Sequence, residues 1–341
     1  MIRTRRFIGA GVVACAGLLS LPASGLAVTG ATITDDAGQP APLVNGMNLR
    51  NMTPLIQPTF AANERYFSFT ITQPNGGGET IRCGNIASYT GNGLLPYKVG
   101  YTGSGTYTVT VKGFTQAQYD DNSCNGTGAG TYTAAFNLTP SISVGAFPTT
   151  VLTRNPSGRS ISPAIAYPIP VNANPGADAN ELVVNGPGIS PSGSVRQVDP
   201  ATGAASYTFF EPGTYALTPR ATDYGFAQGP VLGPAVQVRV LDPFDFSAPG
   251  FTDRTGPTYK WFGAVRTKYM PGTKLKFQIR RKGTKKFRTV STAKVRKTRV
   301  IIFKMKIVKR AKYFYRISFK GNQNVAPGKA GGNFRVSYRR R

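Results

Sequence analysis

The chain has 341 residues, with 41 Lys plus Arg against 14 Asp plus Glu and no His, for a formal net charge of +27. Without histidine there is no Ser-His-Asp or Cys-His catalytic arrangement, no His-ligated zinc and no imidazole proton shuttle. Gly and Pro are abundant at 40 and 26 residues, Thr, Val, Tyr and Phe are common, and long helix-favouring runs are missing, which is the composition of an all-β chain rich in turns.

The first 27 residues have the layout of a secretory signal peptide. Arg3, Arg5 and Arg6 form a positive start, an apolar run follows from Phe7 to Leu21, Pro22 breaks it, and small residues lead to Ala27. Three other readings use the same residues. Val12-Val13-Ala14-Cys15 fits a lipoprotein box that places a lipid on Cys15, although the apolar run continues past it. Phe7 to Val28 approaches the length of a membrane anchor but is rich in Gly, Ala and Ser. Arg5-Arg6 fits a twin-arginine signal loosely. Removal of the segment leaves about 314 residues, the size of two or three domains, with no further apolar run long enough to span a membrane. The expected location is extracellular or associated with the cell wall.

Residues 28–140 form the first expected β-sandwich. Strands are predicted at Tyr66–Thr72, Glu79–Cys83, Thr106–Lys112 and Thr131–Leu138, with a turn at Asn75-Gly76-Gly77-Gly78. Cys83 and Cys124 are the remaining cysteines, and in an exported protein such a pair is expected to form a disulfide. Two acidic motifs invite chemistry. Tyr119–Gly128 offers Asp120, Asp121 and Asn122 as calcium ligands, against the simpler reading of an Asx-rich turn. Glu64 and Glu79 form a conceivable carboxylate pair, as do the adjacent acids Asp35-Asp36, but no motif supports catalysis. The expectation is therefore a non-enzyme with no cofactor and no metal.

The second expected sandwich spans 141–247. Its strands are predicted at Leu182–Val184, Ser194–Val198, Ser206–Phe210, Thr214–Leu217 and Ala235–Leu241, with a turn at Asp199–Gly203. Pro163, Pro168 and Pro170 argue that Ile161–Val171 is an edge or extended segment and not a central strand. The phrase Gly-Thr-Tyr introduces strands at Gly105, Gly130 and Gly213, an arrangement similar to the corner tyrosine of immunoglobulin-like sandwiches. Ala248-Pro249-Gly250 reads as a linker.

The third unit, 251–341, has the clearest period of two. Leu275, Phe277 and Ile279 alternate with Lys274, Lys276, Gln278 and Arg280; Phe303, Met305 and Ile307 alternate with Lys304 and Lys306; Tyr313, Tyr315, Ile317 and Phe319 alternate with Phe314, Arg316, Ser318 and Lys320; Phe334, Val336 and Tyr338 alternate with Arg335, Ser337 and Arg339. The basic residues thus ride on strands that carry a core. A strand ending in Arg280-Arg281, a turn at Gly283, the strand Phe287-Arg288-Thr289-Val290, a tyrosine strand at Tyr313 or Tyr315 and a last strand at Phe334–Tyr338 resemble the Ig-like or fibronectin-III-like modules at the C-termini of secreted actinobacterial cell-envelope proteins. The resemblance covers roughly the last 75 residues, with Ala311-Lys312 in place of the family's glycine, and it implies an architecture and no activity.

Residues 251–341 carry 28 of the basic side chains and a single acid, Asp253. Like charges facing each other on paired strands are destabilising, and a polyanion relieves that cost. Anionic wall polymer or acidic polysaccharide is the expected partner, with DNA as a non-specific possibility; a charge bias that serves solubility or discourages edge pairing is the plainer reading. The expected contact set is Lys274, Lys276, Arg280, Lys304, Lys306, Arg316, Lys320 and Arg335. Most aromatics fall on the apolar faces, with Trp261, Phe262 and Phe314 as candidate exceptions that stack on ligand. The alternative function is a carbohydrate-binding or adhesive protein that uses aromatic loops such as Tyr119 or Tyr224-Gly225-Phe226.

Overall fold

The computed structural model describes residues 28–115, 124, 130–156, 162–224, 229–253, 258–308 and 311–336. The signal-peptide segment, Asp120, Asp121, Asn122, Tyr119 and the pair Gly225-Phe226 lie outside the described residues. The chain is nearly all β, and its strands fall into three pairs of sheets. Among the described residues no helix is long and apolar enough to cross a membrane.

The first unit contains β1 (Gly30–Thr34), β2 (Pro40–Pro42), β3 (Met47–Leu49), β4 (Leu55–Thr59), β5 (Tyr66–Thr72), β6 (Gly78–Asn85), the short helix α1 (Ile86–Gly91), β7 (Tyr97–Lys98), β8 (Gly105–Phe114) and β9 (Gly130–Leu138). The sheet β2-β1-β4-β7 faces the sheet β3-β9-β8-β5-β6. Period-two burial puts Ile33 and Ile56 of one sheet against Phe69, Ile71, Val109 and Phe136 of the other, all almost fully buried. Each such side chain contributes about 1.5–3 kcal/mol of burial. Cys83 of β6 is bonded to Cys124, with Cα atoms 5.0 Å apart. That bond ties the edge strand to the connection between β8 and β9.

The second unit contains β10 (Ser143–Val144), β11 (Thr150–Leu152), β12 (Ala166–Asn172), β13 (Ala179–Asn185), β14 (Ser194–Gln197), β15 (Ala204–Thr208), β16 (Gly213–Thr222), β17 (Val231–Leu232) and β18 (Val236–Leu241). Its sheets are β10-β12-β15 and β11-β18-β16-β13-β14, with β17 alongside β16. The proline-bearing strand β12 is the middle strand of its sheet, contrary to the sequence expectation. The reason is local. Pro168 and Pro170 face β15 partners, whereas β10 pairs only with Val171 and Asn172, beyond the prolines. On its β10 side Pro170 offers a carbonyl, which accepts from the Gly145 amide at 2.8 Å, so no proline N–H is needed there.

Two of the three Gly-Thr-Tyr phrases build tyrosine corners. The Tyr107 hydroxyl donates to the Gly103 carbonyl at 3.0 Å and accepts from the Thr102 amide at 2.9 Å. The Tyr215 hydroxyl donates to the Glu211 carbonyl at 2.9 Å, and burial pushes its pKa up to about 12. Tyr132 does a different job, donating across to the Leu43 carbonyl.

The third unit contains β19 (Phe246–Asp253), β20 (Thr258–Val265), β21 (Lys274–Arg281), β22 (Arg288–Lys294), β23 (Val300–Lys306), β24 (Ala311–Phe319) and β25 (Gly328–Val336), arranged as the sheets β19-β20-β23 and β22-β21-β24-β25. Trp261 is 1% exposed and packs against Phe246, Phe277, Phe303 and Tyr315. It is a core residue, which corrects its candidacy as a stacking platform. The expected linker Ala248-Pro249-Gly250 lies inside β19, where the pairing with β20 slips in register between Ser247 and Gly250. A bulge of that kind uses the same residues as a linker.

The junctions between units are built from polar side chains with defined partners. Asn174, 1% exposed, accepts from the Met52 amide at 2.9 Å and donates to the Arg50 carbonyl at 2.5 Å. Gly176 is required beside it, because a Cβ there would lie 1.7 Å from the Asn51 side-chain oxygen. The first two units share one continuous apolar core. The third has its own, and Asp242 joins it to the second. Asp242 accepts from Thr153 at 2.5 Å and from Thr267 at 2.7 Å, and its backbone pairs with Asn324 and Ala326. Three residues on, burial raises the pKa of Asp245, opposed by the nearby Arg266 and Arg154.

Candidate functional site

The alternation in β21 sends Leu275, Phe277 and Ile279 into the core and leaves Lys274, Lys276, Gln278 and Arg280 on the outer face. Strand register extends that face sideways. Lys274 stands opposite Lys294 of β22. Gln278 and Arg280 stand opposite Arg316 and Phe314 of β24. Lys312 and Ser318 of β24 stand opposite Arg335 and Lys329 of β25. Because directly opposed residues share a face, the four strands present one cationic surface. Lys320 continues it just past the end of β24.

Six of the eight residues expected from sequence therefore come together: Lys274, Lys276, Arg280, Arg316, Lys320 and Arg335. Lys304 and Lys306 do not. They lie on β23, in the other sheet, and point away on the opposite side of the sandwich. Period two alone places a lysine outside but does not say outside of which sheet. Conversely, Lys294, Lys312 and Lys329 join the face through register. Lys312 was available from the same alternation that gives Tyr313 and Tyr315 as core residues.

At the centre of this face lies an arrangement that sequence reading missed. The Arg280 guanidinium sits over Phe314, 4.4 Å from the ring centroid, and 5.4 Å from that of Phe287. The Arg316 guanidinium lies 4.3 Å from the same Phe287 ring. Arg316 Nε donates to Gln278 Oε1 at 2.7 Å, while Gln278 Nε2 donates to Thr289 at 3.2 Å. Arg280 donates to the Thr284 carbonyl at 3.0 Å. Phe314 is thus an outer-face residue, as expected, and Phe287 in the turn before β22 is its counterpart.

The acidic candidates are engaged structurally. Glu64 and Glu79 sit at opposite ends of β5: Glu64 precedes its first residue, and Glu79 pairs with Ile71 near its last. The Glu64 carboxylate lies against Gly113, which stands opposite Phe67. Four residues of strand separate that level from the level of Glu79, roughly 13 Å, and the two sit on opposite sides of β5. That is too far for a glycosidase pair, which needs about 5–10 Å. Asp35 accepts from the amides of Ala37 and Gln39, and Asp36 from those of Arg50 and Asn51. Among the described residues no three His, Cys, Asp or Glu side chains are grouped to hold a metal. Tyr224 is 70% exposed.

No family model matches the sequence, and no curated protein matches it. Solved structures similar to it include a tetra-tandem repeat from the extending region of a large adhesion protein, 13% identical over 84% of this chain and 70% of that one, with a TM-score of 0.28. A two-domain fibronectin type III segment of chicken tenascin is 14% identical over 50% of this chain and 91% of that one, with a TM-score of 0.32. The FN1–FN3 domains of chicken CNTN1 are 10% identical over 84% of this chain and 95% of that one, with a TM-score of 0.21.

Proposed function

We propose that this is a non-catalytic, exported protein of the cell envelope, in which the third unit holds an anionic polymer, a wall polymer or acidic polysaccharide, and the first two units are displayed from it. One observation carries the reading: the outer face of β22-β21-β24-β25 gathers lysines and arginines from all four strands, in a stretch with no carboxylate side chain after Asp253. A surface made for solubility alone mixes both signs. Here the counter-charge has to come from outside, and a polymer that supplies it releases its own counterions. The envelope setting rests on the signal-peptide layout and on the resemblance of the last strands to actinobacterial envelope modules.

The test compares two variants of the whole chain on poly(glycerol phosphate) across a salt series. Neutralising Lys274, Lys276, Lys312 and Lys329 to Gln is expected to weaken binding and to flatten the log K against log salt slope by about 3, at roughly 0.7–0.9 per lost contact. Neutralising Lys304 and Lys306 on the opposite face is expected to leave both unchanged. Absence of binding at 50 mM salt, or equal effects from both variants, overturns the reading. Salt-resistant binding to neutral glycans that is lost on Tyr224→Ala supports the carbohydrate-binding alternative instead, which the exposure of that ring favours.

A further inference from the structure

We infer that Arg280 and Arg316, braced by Phe287 and Phe314, form a specific subsite for a tetrahedral oxyanion, with the phosphodiester of a polymer backbone as its ligand. This rests on the polyanion reading above and deepens it. The lysines of the face are point charges on flexible stems, and each loses rotamer freedom on binding. The two guanidinium groups are different, because they are already ordered.

Phe287 lies beneath both of them, so the two cations are no further apart than the sum of their distances to its centroid, 4.3 and 5.4 Å. Two like charges are being held together with no carboxylate in the unit after Asp253 to offset them. The rings offset part of that repulsion through their π faces. The polar contacts fix orientation: Gln278 takes Arg316 Nε, and the Thr284 carbonyl takes one Nη of Arg280. Gln278 is itself anchored to β22 through Thr289 and receives Ser318 at 3.4 Å. The remaining N–H groups of both forks have no acceptor among the described residues, although both side chains are partly covered.

Such a pair selects for ligand shape. A carboxylate presents its lone pairs in one plane and suits a single fork. A phosphate or sulfate group projects oxygens in several directions and can accept from two forks that do not share a plane. Arg280 and Arg316 come from adjacent strands, and Arg280 is stacked on a second ring that Arg316 does not share. The subsite therefore favours a tetrahedral group over a carboxylate at equal charge.

The experiment uses the whole chain and three polymers at matched charge concentration: poly(glycerol phosphate), dextran sulfate and polygalacturonate. Arg280→Lys/Arg316→Lys keeps the charge and removes both forks. It is expected to weaken phosphodiester binding about ten-fold while polygalacturonate binding and the salt slope stay unchanged. The quadruple lysine variant is expected to weaken all three polymers together. Fluorescence of Trp261, the single tryptophan and a core residue of the same unit, confirms that each variant is folded. A preference for dextran sulfate that the double variant abolishes keeps the subsite but assigns it to sulfate. A double variant that retains the wild-type preference overturns the subsite and leaves the polyanion reading standing. Failure of the wild-type chain to bind any of the three overturns the polyanion reading itself.

Discussion

In the second unit Arg220 stands across from Glu181 in neighbouring strands and donates to it, with Gln197 donating to the same carboxylate at 2.6 Å. In the third unit Lys274 stands across from Lys294, and Lys312 across from Arg335. The scaffolds are alike: two sheets, period-two burial and a packed aromatic core. What differs is where the counter-charge comes from. The second unit carries it internally, and the outer face of β22-β21-β24-β25 in the third leaves it to the surroundings. A sandwich fold leaves its outer faces free for this choice, because nothing in the core depends on them.

A contrast in charge between two units presumes that each core stands independently. Trp261→Ala removes the largest buried side chain of the third core and is expected to cost that unit about 3–5 kcal/mol. Trp261 belongs to the core of the third unit, separate from the one that holds the second, so the second unit should keep its stability. Limited trypsin digestion checks this, since the third unit is dense in Lys and Arg. Rapid cleavage beyond residue 258 with residues 28–240 left intact is the expected pattern. Simultaneous loss of both would mean that the Asp242 junction couples the cores so strongly that the contrast in charge cannot be treated unit by unit.

A second variant removes the internal counter-charge. Glu181 is 4% exposed, and Glu181→Gln leaves Arg220 beside a neutral amide. The expected loss is about 1–3 kcal/mol, smaller than for a fully enclosed pair because Arg220 reaches solvent. Urea unfolding at neutral pH measures it. An unchanged midpoint would show that the pairing in the second unit is incidental, and the comparison with the third would lose its meaning.

The fold was legible where one residue in two is buried on a sharply apolar face. The alternation over Tyr66–Thr72 coincides with the limits of β5, and Leu275, Phe277 and Ile279 are all buried as expected. It was less legible where pairing decides the outcome. The place of β12 between two strands depends on the residues that follow Pro170, Val171 and Asn172, which pair with β10, and the bulge in β19 uses the vocabulary of a linker. The candidate site shows the same division. Alternation found which basic residues point outward. It did not distinguish Lys304 and Lys306 from the others, because two sheets of a sandwich have the same period and opposite outer faces. Phe287 was invisible as a partner of Arg280 and Arg316 because its role comes from the return of the chain through the Gly283 turn, and no spacing in the sequence encodes a ring lying between two strands.

The smallest expected effect bears most directly on the contrast. Between 0.01 and 1 M sodium chloride the screening length falls from about 30 Å to about 3 Å, below the spacing of the opposed pairs. In the third unit the pairs Lys274–Lys294 and Lys312–Arg335 are repulsive, each costing of the order of 0.2–1 kcal/mol. Screening removes that cost, so the melting temperature read from Trp261 fluorescence should rise with salt. In the second unit the same screening acts on the attraction between Glu181 and Arg220, so its unfolding should shift slightly the other way. Lys294→Glu supplies the complementary arm: placing a carboxylate across from Lys274 should raise the stability of the third unit at low salt and diminish its salt response. If chloride leaves both units equally unaffected, the lysines of the face are far enough apart in their solvated conformations to ignore one another, and a polyanion would gain by contact alone, with no relief of strain in the fold to add to it.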